Sequence, residues 1–362
     1  MNERTFTRLV GDLESPDFSK VESAATTLSA LRDESARAWI DATLKTSSPL
    51  VQRVMLWALQ NYQISDYAPY TAYLISPDAN VREACQVLFM AGGIAGVKAL
   101  ESAAKNENAE MQYAIASVLG LIRTPAAAFV LQGMLDAEDA GVRSGVASAL
   151  SAYSDGGTTA ALCAHLGDAE SDVVLSLLYS LRDRDLSTEQ IGLVLPLIAS
   201  PSAEIRAACV HVLDAVTPDT VGADASPKVR RAFAERTASA KLLEKLCSDP
   251  DASVRTAAAG SAAKHHLVFT DLFISMMADE NPGVRRAAAE ALGSVGSADA
   301  ARAVPVLTEA LHDKRPGIRV SAVNALASIG GPEAKAALEA AQAEKIPLLS
   351  GIIKNALTKF DT

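Results

Sequence analysis

Asn281-Pro-Gly-Val-Arg-Arg-Ala-Ala-Ala-Glu-Ala-Leu-Gly and, 34 residues later, Arg315-Pro-Gly-Ile-Arg-Val-Ser-Ala-Val-Asn-Ala-Leu-Ala repeat one pattern. A turn is followed by a β-branched residue, an arginine and an alanine-rich run. With the β-branched position as anchor, further copies fall at Val21, Val51, Val81, Met111, Val142, Val173, Ile205, Val229 and Val254, besides Val284 and Ile318. Seven of the ten successive spacings are 30–32 residues, so the chain is an array of one unit. About thirty residues accommodate two helices of roughly twelve residues and two short turns. Positions +4, +7, +8 and +11 from the anchor are usually apolar: Met55, Ala58, Leu59 and Tyr62 after Val51; Ile115, Val118, Leu119 and Ile122 after Met111; Cys209, Val212, Leu213 and Val216 after Ile205. They form one stripe of a 3.6-residue helix. Position +3 stays small (Ala84, Gly145, Ser176, Ala208, Ala287, Ser321), marking close approach between helices. The preceding helix of each pair is exemplified by residues 299–313, where Pro305 is expected to introduce a kink.

Asp lies five residues before the anchor and Arg one after it in Asp224/Arg230, Asp249/Arg255, Asp279/Arg285 and Asp313/Arg319. These residues resemble the Asp and Arg ladders of HEAT repeats, specifically the short bacterial kind named after phycobilisome lyases. The resemblance covers nearly the whole chain and implies an all-α, right-handed α-α superhelix, a HEAT-repeat solenoid of about eleven helix pairs. It speaks for architecture more than for activity, because such residues stack repeats.

A single solenoid over 1–362 is expected, with a defect near 217–240 that divides 1–216 from 241–362. Two repeats there shrink to 24 and 25 residues, leaving little room for a full first helix, and Arg236 and Thr237 occupy ordinarily apolar positions. The copy at Val21 caps the beginning, and residues 332–360 supply the closing helices that a solenoid needs over its last apolar face.

Only 5% of the residues are aromatic although 49% are hydrophobic, a balance that suits closely stacked alanine-rich helices. The net charge of −10 argues against a nucleic-acid coat. Residues 1–180 hold 12 basic and 21 acidic side chains, the remainder 21 and 22, so the acidity lies in the first half. No basic segment leads into an apolar run at the start, and the longest apolar stretch, 191–199, contains Pro196 and is far shorter than a membrane span of roughly 20 residues. Cys85, Cys163, Cys209 and Cys247 are scattered without a CxxC, as in a reduced, cytoplasmic protein.

Positions +2, +6 and +9 point away from the apolar stripe at 100° per residue. In HEAT proteins the second helices line the concave surface, so the resemblance places these positions in the groove. They include Arg53, Trp57, Gln60, Val87, Met90, Tyr113, Leu175, Tyr179 and His211, and the large apolar side chains among them are unusual for a column that should be wet. Tyr67, Tyr70 and Tyr73 read instead as bulky local core. Lys228, Arg231, Lys241 and Lys245 form a candidate basic patch, with Arg231 and Arg286 the basic groups outside the ladder.

Catalytic signals are poor. No His-Glu dipeptide of the deoxyhypusine hydroxylase kind, no zinc-type His pair and no phosphate loop occurs, so no metal or other cofactor is expected. The reading is a scaffold or adaptor, not an enzyme, that holds a partner protein, preferably basic, in its groove. Two alternatives remain: an accessory factor or lyase acting on a chromophore-bearing protein, and a nucleic-acid-binding or repair protein resembling the alkylpurine DNA glycosylases.

Overall fold

The computed structural model describes residues 1–105, 108–214, 217–346 and 348–360, and all but the side chain of Ser297 among them. Val216, at once the end of one stripe and the expected boundary, lies outside the described residues. The fold class is the all-α, right-handed α-α superhelix, without a strand among the described residues. The chain forms two compact units, Met1–Leu186 and Ser187–Thr362.

In the first unit the anchors lie on helices Phe18–Ser29, Pro49–Leu59, Ala79–Ala91, Ala109–Ile122, Ala140–Leu150 and Ser171–Leu181. In the second they lie on Ala203–Leu213, Pro227–Arg236, Ala252–Lys264, Pro282–Leu292 and Pro316–Ile329. The turn that precedes each anchor is a helix cap. Side-chain oxygens of Asp78, Asn108, Asp139, Ser202, Asp251 and Asn281, all three residues before their anchors, accept backbone N–H groups of the first turn. Pro49, Pro227, Pro282 and Pro316 open their helices, where a missing N–H costs nothing. The stripe is the core: Met55, Ala58, Leu59, Ile115, Val118, Leu119 and Cys209 are fully buried.

The first helices are less uniform. Ala68–Ile75 and Asp219–Ala223 are 3-10 segments, and Ala240–Leu246 has 7 residues. The last two belong to the shortened repeats, whose missing residues are thus taken from the first helix. Pro305 sits inside helix Ser297–Ala310. Helices Gly331–Ala343 and Ser350–Leu357 close the second unit, the first of them entered through Gly330 at φ 70°, a backbone region open to glycine.

Within each unit most neighbouring anchor helices pack on one another more extensively than the first helices do, the exception being Ala79–Ala91 against Ala109–Ile122. The anchor helices therefore form the tighter, inner layer. The tyrosines of the third repeat are core as expected: Tyr67 and Tyr70 are buried, and Tyr73 donates from its hydroxyl to the Leu44 carbonyl at 3.0 Å. Arg37 Nη2 donates to Tyr70 Oη at 2.6 Å, and that hydroxyl donates to Asp41 Oδ1 at 2.7 Å. Burial first, and then the Asp41 carboxylate, push the Tyr70 hydroxyl well above its usual range.

Candidate functional site

The ladder occupies the loop edge of the stack. Each arginine reaches the aspartate of the following repeat through two of its nitrogens: Arg206 Nε to Asp224 Oδ2 at 2.8 Å and Nη2 to Oδ1 at 2.9 Å, Arg230 to Asp249 at 2.7 and 2.9 Å, Arg255 to Asp279 at 2.8 and 2.9 Å. Arg285 pairs likewise with Asp313, and Arg143 with Asp168. The remaining Nη1 donates backward, as from Arg230 to the carbonyls of Asp224 and Ala225. Each aspartate also accepts the backbone N–H two residues on, for example Asp251 N at 2.9 Å from Asp249 Oδ1. The Asp and Arg of one sequence repeat are therefore not partners through their charged ends. A hydrogen bond from the arginine holds the Asp168 and Asp224 carboxyls below the ordinary aspartate range. Burial pushes Asp249 up, but Arg230 and the Asp251 N–H outweigh it and leave that carboxyl low as well.

On the inner layer of the first unit, Trp57, Val87, Met90, Tyr113 and Tyr179 are exposed, from 38% for Trp57 to 60% for Tyr179. Arg53, Gln60 and Leu175 beside them are half-buried. Arg53 lies one helical turn before Trp57 with its Cζ 4.7 Å from the ring centroid, a cation–π stack. Tyr113 leans on the next repeat: a Cβ built on Gly145 would come within 2.6 Å of the Tyr113 ring. The small +3 column is thus where the preceding repeat's outward side chain rests. Ser176 follows the same rule, with its Oγ 2.7 Å from Ser144 Oγ. Along the N-terminal ends of these helices run Asp78, Glu110, Asp139, Glu170 and Asp172.

His211 belongs to the second unit and is not part of this strip. Its side chain is 19% exposed, 4.0 Å from Glu235 Oε2. Its carbonyl accepts Arg236 Nη2 at 3.1 Å, and Arg236 Nε also meets Asp214 at 3.0 Å, so the polar residue of the degenerate repeat clamps its neighbour. The inner layer here is polar, carrying Arg231–Glu235 and Arg286–Glu290 pairs at 3.2 and 3.7 Å.

The four residues of the basic patch are divided. Lys228 and Arg231 are on the inner helix Pro227–Arg236, whereas Lys241 and Lys245 are on the first helix Ala240–Leu246. Lys228 Nζ pairs with Glu204 at 2.7 Å, and Arg231 with Glu235. Among the described residues no helix is long and apolar enough to cross a membrane.

A family profile described as HEAT repeats matches residues 97–182, 239–302 and 270–347. A crystal structure of importin beta in an ammonium sulfate condition is similar at a TM-score of 0.57 and 13% identity, over 98% of this chain and 61% of that one. This chain thus spans about three fifths of that chain's length, and the likeness is one of fold. An engineered protein aligns over 99% of this chain and 98% of its own with 18% identity, but at a TM-score of 0.32, too low to carry an argument. No curated protein matches the chain significantly.

Proposed function

The chain belongs to the HEAT-repeat family, whose solenoids commonly serve as protein-binding scaffolds, and from that premise we propose that it is a non-enzymatic scaffold holding a partner segment against the inner layer of its first unit. One observation carries this reading: Trp57, Val87, Met90, Tyr113 and Tyr179 are exposed at outward positions of helices whose opposite faces are already packed, with Ser144 and Ser148 of the fifth repeat lying between Tyr113 and Tyr179. Apart from Tyr113, which rests on Gly145 of the next repeat, large side chains left wet on the inner layer have no evident role in the stack, and aromatic residues are the commonest anchors of interfaces. The acidic row at the helix ends, Asp78, Glu110, Asp139, Glu170 and Asp172, favours a segment with basic side chains and speeds its encounter.

The test is capture of a partner from the source cell by the wild type and by the Trp57→Ala/Tyr179→Ala variant. Each truncated anchor is expected to cost about 2 kcal/mol, about thirtyfold in affinity, with the far-UV spectrum unchanged because both side chains lie outside the core. Undiminished capture by the double variant refutes the assignment.

A further inference from the structure

Among the described residues, the half-buried arginines of this chain spend their N–H groups on carbonyls, carboxylates or hydroxyls, with two exceptions, Arg53 and Arg319. Among the described residues neither has a hydrogen-bond or ion-pair partner, and the Nε of each is covered. Arg319 follows the last rung of the ladder, whereas Arg53 lies on the inner layer, stacked on the exposed Trp57. Glu83 holds the equivalent position one repeat on, and Arg53 is not paired with it. A guanidinium fixed against an indole face, partly dehydrated and with its Nη edge unspent, is suited to a planar anion that can take two parallel hydrogen bonds.

Its place in the strip narrows the choice. On one side lie Val87, Met90 and Tyr113. On the other, the first repeat offers Ser23 and Thr27 in the corresponding positions, and Thr27 already donates to the Ser23 carbonyl at 2.8 Å. On the first-repeat side the apolar strip therefore ends at Arg53, while on the other side Ser144 and Ser148 separate Tyr113 from Tyr179.

We propose that Arg53, stacked on Trp57, receives the C-terminal carboxylate of the partner segment, whose preceding side chains lie along Val87, Met90, Tyr113 and Tyr179. This rests on the scaffold reading above and specifies how the segment is oriented. At about 8–10 Å per repeat the strip from the second to the sixth repeat is about 40 Å long, which an extended chain covers with about 12 residues. Basic residues within that stretch meet the acidic row, and the single negative charge at its end meets Arg53, among the described residues the unpaired cation of the strip.

The probe is a pool of randomised dodecapeptides, half with free C-terminal carboxylates and half with C-terminal amides, offered to the immobilised full chain and identified by mass spectrometry. The wild type is expected to retain acids over amides by at least about tenfold. Arg53→Gln is expected to abolish that preference while still retaining peptides that the Trp57→Ala/Tyr179→Ala variant releases. Equal retention of acids and amides, or a preference that survives Arg53→Gln, overturns the proposal and leaves the scaffold reading intact. Selection of internal Asp or Glu regardless of the terminus overturns it in favour of a side-chain carboxylate. If the double variant retains peptides as well as the wild type does, the groove itself is misassigned and the proposal falls with it.

Discussion

Asp249→Asn tests the ladder with almost no change of shape. Asp249 is 8% exposed, and its two oxygens accept Arg230 Nε and Nη2 at 2.7 and 2.9 Å. In the asparagine an amide N–H₂ replaces one acceptor and faces an arginine donor. Breaking a buried pair from one side typically costs about 3–5 kcal/mol. Arg230 keeps its Nη1 bonds to the Asp224 and Ala225 carbonyls, which places the expected loss near the lower end, about 3 kcal/mol. The stability of a solenoid is approximately a sum of repeat and nearest-neighbour terms, so the loss should be local. Urea unfolding followed by hydrogen exchange should show reduced protection in Pro227–Arg236 and Ala252–Lys264, with Ala109–Ile122 unchanged. A double-mutant cycle with Arg230→Gln should return a coupling of about 1.5–3 kcal/mol. The pH dependence follows from the lowered carboxyl of Asp249. A group whose folded pKa lies below its unfolded value of about 3.9 stabilises fully above that value, and this contribution is lost as pH falls through the folded one. The wild type should therefore lose more stability below about pH 4 than the asparagine variant does. A loss under about 0.5 kcal/mol, which is within the range of exposed pairs, or a vanishing coupling would refute the ladder as the clamp between repeats.

Gly293→Ala brings a Cβ to 2.9 Å from Ala325 Cα, backbone that cannot turn aside, and should cost about 1–3 kcal/mol in thermal or urea unfolding. Gly145→Ala meets only the exposed Tyr113 ring, at 2.6 Å, so it should cost clearly less than Gly293→Ala; the reverse order would show that Tyr113 is locked. The four cysteines are buried, and burial pushes the thiols of Cys209 and Cys247 up to about 12. Iodoacetamide at pH 8 should therefore leave the native mass unchanged and add four groups after denaturation, since the thiolate is the reacting form.

The anchor stripe is legible in the sequence because both of its signals are local. An apolar recurrence at 3.6 residues and an Asn, Asp or Ser three residues before it determine a helix and its cap, whatever the neighbours do. The ladder is only half legible. Pairing Asp and Arg within one repeat selects four copies and passes over Arg143–Asp168, because Val174, not an arginine, follows the anchor Val173. The interaction runs from one repeat to the next, so the right search is for Arg one after an anchor and Asp five before the following one. The same limit governs the outward positions. Helical geometry gives their direction, but whether a side chain stands free depends on the small residue it meets one repeat on, as Gly145 meets Tyr113. The Arg53–Trp57 stack is available from its four-residue spacing, yet a search for apolar bulk passes over it. The basic cluster misleads for the opposite reason. Residues close in sequence, Arg231 and Lys241, are carried to different layers when the chain folds back between helices Pro227–Arg236 and Ala240–Leu246. Ladder residues sit at −5 and +1, at the loop edge, and never compete with +2, +6 and +9 for space. The ladder and the outward positions can therefore vary independently. Among the described residues, four of the five rungs lie in the second unit, whose inner layer carries self-paired Arg231–Glu235 and Arg286–Glu290, while the first unit has one rung and the exposed aromatic strip. The inner layer whose charges are already paired has less to offer a partner than the one that leaves Trp57, Tyr179 and an unpaired Arg53 on view.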